Sequence, residues 1–424
     1  MFVLYRIIIA ILFYTSLPFS LLFVLITGKH RRGLTQRFAV YRLRSKSKDA
    51  KAQTIWLHAA SVGEVQAARS IIARLKKRLP TARIVLTIMT LHGKHFAESR
   101  FDSSVECFLA PLDVPGIVER AVKTIRPDIY ICIETELWPV LIDSLARSKV
   151  RLCLVNGRIS QKSYGKYLRM GRLTRHTVRQ FDKIAVISES DRNKYLSLGA
   201  RTNDISVEGN VKYDLSLPAN RQERVEHYKE ILNIEDQGVF IAGSTHGDEE
   251  MQLSRLFTLF QEKQMLFLIA PRHTRRLEEI ISRFQDDEIG YQLYSSLKNG
   301  MEYRHSQVVL IDTMGELSLL YGVADYIFCG GSLVDKGGHN LMEAAVWDRA
   351  VFYGPHIDDF HDAAELLESV SGGFRVKNVE ELVDLLHYFN AHPEEYRKAC
   401  RRAGDIARKQ QGSSDRQLAF VLEG

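Results

Sequence analysis

The chain has 424 residues, 45% of them apolar, and a formal net charge of +7. That length exceeds what one hydrophobic core usually serves, about 250 to 300 residues, so two domains are expected. The charge is local: residues 29–51 hold nine Lys or Arg against Asp49 alone, and Arg6 brings 1–51 to +9, which leaves −2 for 52–424. A nucleic-acid channel through the body of the protein is therefore disfavoured, and no nucleic-acid partner is expected.

The stretch from Phe2 to Gly28, FVLYRIIIAILFYTSLPFSLLFVLITG, carries Arg6 as its one charge. It is long enough to cross a bilayer, which takes roughly 20 apolar residues in a helix. A cleaved secretory signal is the competing reading, but it needs a shorter apolar region and a small-residue cleavage site, which TGKHRRG does not offer. Residues 1–28 thus read as a membrane anchor, a transmembrane signal-anchor helix. Residues 29–51 read as a basic juxtamembrane segment that meets anionic lipid headgroups or merely solubilises the flank. The positive-inside rule puts everything after residue 28 in the cytoplasm. Pro18 and Arg6 leave open a helix that is kinked or only partly inserted.

From Ile55 onward, short β-branched runs alternate with helical stretches, the pattern of parallel sheets covered on both faces. Seven candidate strands (IWLHAA, ARIVLTIM, VECFLAPL, DIYICIE, VRLCLVNG, KIAVIS, DISVEG) precede a polar connector without strand signal at 214–236. Five more follow it: VFIAGSTH, MLFLIAPRH, SQVVLIDT, DYIFCGG and AVFYGP. The expected fold is α/β with two Rossmann-like doubly wound domains, 52–213 and 237–424, facing a cleft onto which ligands bind at the strand C-termini. Five scattered cysteines, three of them inside apolar runs, read as reduced buried thiols and give neither a disulfide frame nor a metal site.

The strand ends carry the chemistry. In HAASVGE the residues Ser61 to Glu64 form S-x-x-E at a helix start, so Glu64 is either the second half of a capping box or a catalytic carboxylate pointing out of the turn. As a base at a helix N-terminus it would be held ionised and weak. Glu134 of ETELWP ends an apolar strand and needs a partner, since an unpaired carboxylate there is costly; Glu136 on the same face reads as structural. Lys212 of GNVKYD is a surface lysine or a cation for an anionic substrate. In GGSLVDKGGHNLMEAA the glycines allow a close backbone approach to a phosphate or make an ordinary turn. Arg272 of APRH suits a carboxylate or phosphate, whereas Arg275 and Arg276 read as a solvated helix face. Glu316 of DTMGEL binds a base or ribose, or simply favours a helix start. No aspartate has another two positions away and no cluster has zinc spacing, so no metal and no cofactor are expected.

The motifs SVGE, ETELWP, GNVKYD, APRH, DTMGEL and GGHNLMEA, in this order behind an apolar N-terminal segment, make the chain resemble the 3-deoxy-D-manno-octulosonic acid (Kdo) transferases of lipopolysaccharide synthesis. The resemblance spans essentially the whole chain. It implies the GT-B fold, with an N-terminal acceptor domain and a C-terminal donor domain, at the bacterial inner membrane. It implies inverting, metal-independent transfer of Kdo from CMP-Kdo to the glucosamine disaccharide of the lipid A precursor. By motif it places the general base on Glu64, transition-state stabilisation on Glu134 and Lys212, and CMP contacts on Pro271, Arg272, Met314, Gly315, Glu316, Asn340, Leu341, Met342 and Glu343. The rival readings are another GT-B lipid-linked sugar transferase, a nucleotide-sugar epimerase, or a membrane-tethered nucleotide-binding protein without catalysis.

Overall fold

A computed structural model describes residues 2–28, 31–44, 52–260 and 265–423. Of the basic segment expected at 29–51, residues 29, 30 and 45–51 lie outside the described residues. The chain divides into two compact units, Met1–Asp214 with Gly412–Gly424, and Leu215–Gln411.

The first unit holds seven parallel strands: β1 (Thr54–Ala59), β2 (Arg83–Ile88), β3 (Val105–Leu109), β4 (Ile129–Ile133), β5 (Arg151–Gly157), β6 (Lys183–Val186) and β7 (Ile205–Val207). Their order is 3-2-1-4-5-6-7. β1 and β4 are buried at every position, as strands covered by helices on both faces must be. Apolar cores lie on the two faces, one centred on Trp56, Tyr130 and Tyr195 and the other on Ile71, Leu86 and Val155. The strand order reverses between β1 and β4, which both pair in parallel with matched ends. Such a reversal opens a crevice beyond the strand C-termini.

The second unit repeats the plan with β8 (Val239–Thr245), β9 (Leu266–Pro271), β10 (Gln292–Leu293), β11 (Val308–Leu310), β12 (Tyr326–Cys329), β13 (Val351–Tyr353) and β14 (Gly373–Arg375) in the order 10-11-9-8-12-13-14. Its reversal falls between β8 and β12. A phenylalanine-rich core including Phe240, Phe267, Phe284 and Phe352 fills the unit.

Three expectations about organisation need correction. The connector at 214–236 contains a helix, Arg221–Ile231, and it groups with the second unit; its buried Tyr228 supplies the apolar contact that a run of charged residues concealed. Residues 412–424 do not belong to the second domain, because the helix Ser413–Glu423 buries Leu418 and Val421 in a core of the first unit. Residues 31–44 are not a free basic flank. Arg37 donates to the Ala110 and Met89 carbonyls, Gln36 accepts the Leu109 amide and Tyr41 donates to the Leu109 carbonyl, so this segment satisfies backbone groups left over at the ends of β2 and β3. All five cysteines are free; four are buried and Cys107 is half-buried.

Candidate active site

Ser61 caps the helix Val62–Arg78 that follows β1, its hydroxyl accepting the Glu64 amide at 3.3 Å. The Glu64 carboxylate folds back over the turn. One oxygen accepts the Ala60 amide at 2.7 Å and the other accepts the Ser61 hydroxyl at 3.0 Å. A capping arrangement is therefore present, but it reaches the amide of Ala60, one residue before the one expected. Nor does Glu64 point freely out of the turn, since it is only 7% exposed. The expectation of an ionised, weak base is overturned as well. Burial, reinforced by the nearby charge of Glu134, raises the Glu64 pKa to about 7 against the pull of its hydrogen bonds. Desolvation here outweighs the helix dipole, and the result is a carboxylate matched to proton transfer near neutrality.

Glu134 follows β4, directly across the reversal from Glu64. Its backbone is held at φ 60°, a left-handed conformation unusual for a glutamate and frequent at functional sites. The partner demanded by its apolar strand is Lys212, whose ammonium lies 2.5 Å from the carboxylate. Glu136, half-buried, accepts the Trp138 indole N–H at 2.9 Å, and burial raises its pKa. The first unit thus brings Glu64, Glu134 and Lys212 together at one end of the sheet.

Two residues outside the sequence motifs hold this group in place. Asn156, at the end of β5, accepts the Val211 amide next to Lys212 at 3.0 Å. Gln417, from the helix Ser413–Glu423, accepts the Asn156 amide at 2.6 Å and donates to the Gly209 carbonyl at 2.5 Å. Asn156 lies at the end of the candidate strand VRLCLVNG; nothing in the sequence signalled Gln417. Gln417→Ala is expected to cost about 1–3 kcal/mol through the buried amide left unpaired, read as a lower urea midpoint.

In the second unit the motifs APRH, DTMGEL and GGHNLMEA follow the ends of β9, β11 and β12, beside the end of β8. Pro271 closes β9, and the Arg272 amide donates to the Thr245 carbonyl at 3.0 Å. The Arg272 guanidinium is exposed and makes no hydrogen bond among the described residues. Arg276 does not lie on a solvated face: it pairs at 2.8 Å with the buried Glu250. Met314 is 65% exposed, Gly315 has φ 92°, and Glu316 pairs with Lys298 at 2.5 Å. Asn340 accepts the Met342 amide at 3.2 Å, and Glu343 is half-buried, with a pKa raised by burial. Leu341 and Met342 are fully buried, so neither offers a ligand any surface here. His246 and His339 lie on either side of the β8/β12 reversal, their Nε2 atoms 3.1 Å apart and their rings stacked. Burial and then Arg272 push His339 down to about 3, and burial lowers His246 as well. The sequence showed both histidines without marking them.

The glycine-rich turn proves to have a structural use. Glu249, fully buried, accepts the amides of His246, Gly331, Ser332 and Leu333 at 2.6–2.9 Å, so the amides at 331–333 are already satisfied. A Cβ on Gly330 would lie 2.7 Å from the Cα of Thr245, so glycine is needed here for backbone to approach backbone. Glu249→Ala is expected to cost on the order of 3 kcal/mol or more by leaving these donors unpaired; an unchanged urea midpoint would refute this account of the turn.

Two parallel units with polar groups converging at both order reversals define the GT-B class of glycosyltransferases and their structural relatives. Similar solved structures are a glycosyltransferase from Rickettsia africae, 13% identical over 88% of this chain and 97% of that one with a TM-score of 0.58, and the Neisseria meningitidis UDP-GlcNAc 2-epimerase, 14% identical over 88% and 100% with a TM-score of 0.57. A family model described as 3-deoxy-D-manno-octulosonic-acid transferase (kdotransferase) matches residues 32–215. A 3-deoxy-D-manno-octulosonic acid transferase of Haemophilus influenzae is 30% identical over 96% of this chain and 97% of its own length. The chain belongs to the Kdo transferase family and is a glycosyltransferase.

Proposed function

We propose that the protein transfers Kdo from CMP-Kdo to the glucosamine disaccharide of the lipid A precursor, with inversion and without a metal, at the cytoplasmic face of the bacterial inner membrane. The observation that carries this reading is the state of Glu64: a carboxylate secured by Ala60 and Ser61, beside the Glu134–Lys212 pair, with its pKa near 7. Glu64 takes the proton of the acceptor hydroxyl as it attacks the anomeric carbon of Kdo. CMP leaves from the opposite face, as in inverting glycosidases. Lys212, tied to Glu134, supplies a cation for the carboxylate that Kdo carries next to its reacting carbon. In the second unit the unpaired guanidinium of Arg272 serves the CMP phosphate, with contacts from Pro271, Met314, Gly315, Glu316, Asn340 and Glu343, and the buried Leu341 and Met342 support the turn beneath them.

Incubating membranes containing the protein with CMP-Kdo and a lipid A precursor is expected to raise the mass of the lipid by one or more Kdo residues. No increase, where a known Kdo transferase gives one, rejects the proposal. CMP at 100 times its dissociation constant is expected to stabilise the protein by about 2.7 kcal/mol, seen as a higher Tm. Equal or greater protection by UDP favours a UDP-sugar transferase or epimerase instead.

A further inference from the structure

The N-terminal helix Phe2–Thr27 is the one helix among the described residues long and apolar enough to span a bilayer, yet its first half is tied to the first unit. Arg6 pairs with Glu119 at 2.6 Å and with Asp143 at 2.9 Å. Phe2 lies 4.5 Å from the ring of His176, Tyr5, Ile9 and Phe13 pack against the apolar core, and the Tyr14 hydroxyl donates to the Pro115 carbonyl. These positions recur at helical spacing and form one stripe. The opposite stripe, with Leu4, Ile8, Ile11 and Leu12, is 45–61% exposed. Beyond Tyr14, residues 15–27 extend about 20 Å at 1.5 Å per residue, short of the hydrocarbon thickness of about 30 Å. The chain then returns, since Gln36, Arg37 and Tyr41 bond the same unit.

A second surface adjoins the start of this helix. Residues 161–181 contain six Lys or Arg and no acid. Lys162, Lys166 and Arg169 follow one another on one face of the helix Gln161–Met170, and Arg172, Arg175 and Arg179 do so from the helix Arg172–Val178 onward; all six are exposed. Among them Leu168 is 47% and Met170 41% exposed. His176, against Phe2, joins this surface to the N-terminal helix.

We infer that the N-terminal helix does not cross the bilayer: it lies in one leaflet while docked on the first unit, and the basic pair of helices at 161–179 rests on the same anionic lipid surface. The inference builds on membrane association as proposed above and goes beyond it by assigning the mode. Spanning would tear Arg6 from two carboxylates and carry it into hydrocarbon, whereas the in-plane arrangement keeps every polar contact while the free stripe of residues 2–14 and the all-round apolar surface of residues 15–27 meet lipid. The six cations beside Leu168 and Met170 match a negatively charged headgroup layer.

Sidedness tests this directly. The full chain, with a protease-cleavable epitope ahead of Met1 and with Cys107→Ser and Met301→Cys, is produced in cells and inverted membrane vesicles are prepared. Met301 is 75% exposed in the second unit, so labelling of Cys at 301 by an impermeant maleimide marks the side holding the catalytic units. The expected result is removal of the epitope by added protease in the same sealed vesicles that label. An epitope protected until detergent is added overturns the inference while leaving membrane association intact. Protein absent from the vesicles overturns both. For the second surface, Met170→Cys carrying an environment-sensitive dye is expected to shift to the blue with vesicles of phosphatidylcholine and phosphatidylglycerol but not with phosphatidylcholine alone; no shift, or equal shifts, overturns its role.

Discussion

Glu64→Gln is expected to lower the transfer rate by about 10²–10⁴-fold while CMP binding stays unchanged. The amide keeps an acceptor for Ala60 but cannot take a proton. In the unaltered enzyme the rate should rise with pH and level off above about 7, where Glu64 becomes ionised. The same substitution should stabilise the protein, in a direction fixed by linkage. The folded-state pKa lies above the ordinary value of 4.5, so the fold favours the protonated carboxyl. The stabilisation that follows is complete below about pH 4.5 and is lost as pH rises through 7. A neutral glutamine escapes that loss, gaining at most about 3 kcal/mol at pH 8 from a shift worth 1.36 kcal/mol per unit, and almost nothing at pH 4. Thermal unfolding of both proteins at the two pH values, beside transfer assays, checks the account. A glutamine variant that transfers at the unaltered rate, and whose gain in stability over the unaltered protein is no larger at pH 8 than at pH 4, would return Glu64 to a plain helix cap.

Glu134→Gln should act through two routes. It removes a charge that raises the Glu64 pKa, so the acid limb of the pH–rate profile should move to lower pH. It also frees Lys212 from its 2.5 Å pair, and loss of an oriented cation at the reacting centre is worth about 10²–10³ in kcat. Lys212→Ala should reach a similar loss while leaving a half-buried carboxylate unpaired, with a lower Tm as its mark. Because the two side chains act as a unit, the double variant should lose less than the product of the single losses. Independent effects, with an unmoved acid limb, would show that Glu134 holds the fold and does not tune the base.

The sequence revealed most where physical rules are local. Twelve strands could be read because fully buried parallel strands are continuous apolar runs. The two overlooked ones, Gln292–Leu293 and Gly373–Arg375, are short, sit at the sheet edges and hold no β-branched residue. Each site motif could be placed on a strand end, and Glu134 could be assigned a need for a cation, but naming Lys212 required the tertiary fold. The protonation behaviour of Glu64 was misjudged because the helix dipole can be read from a cap whereas burial cannot. Glu249 escaped notice for a similar reason: its role as acceptor for three amides more than 80 residues away along the chain leaves no local trace.

The return of residues 412–424 to the first unit bears on how the enzyme is made. Ribosomes deliver residues 215–411 before the helix that carries Gln417, so the first unit cannot complete itself until an entire second unit has emerged. A nascent chain that stalls or is cut short of residue 417 retains Glu64, Glu134 and Lys212, yet it lacks the side chain that secures Asn156 and the Gly209 loop. Completion of the first unit's site thereby becomes contingent on synthesis through residue 417.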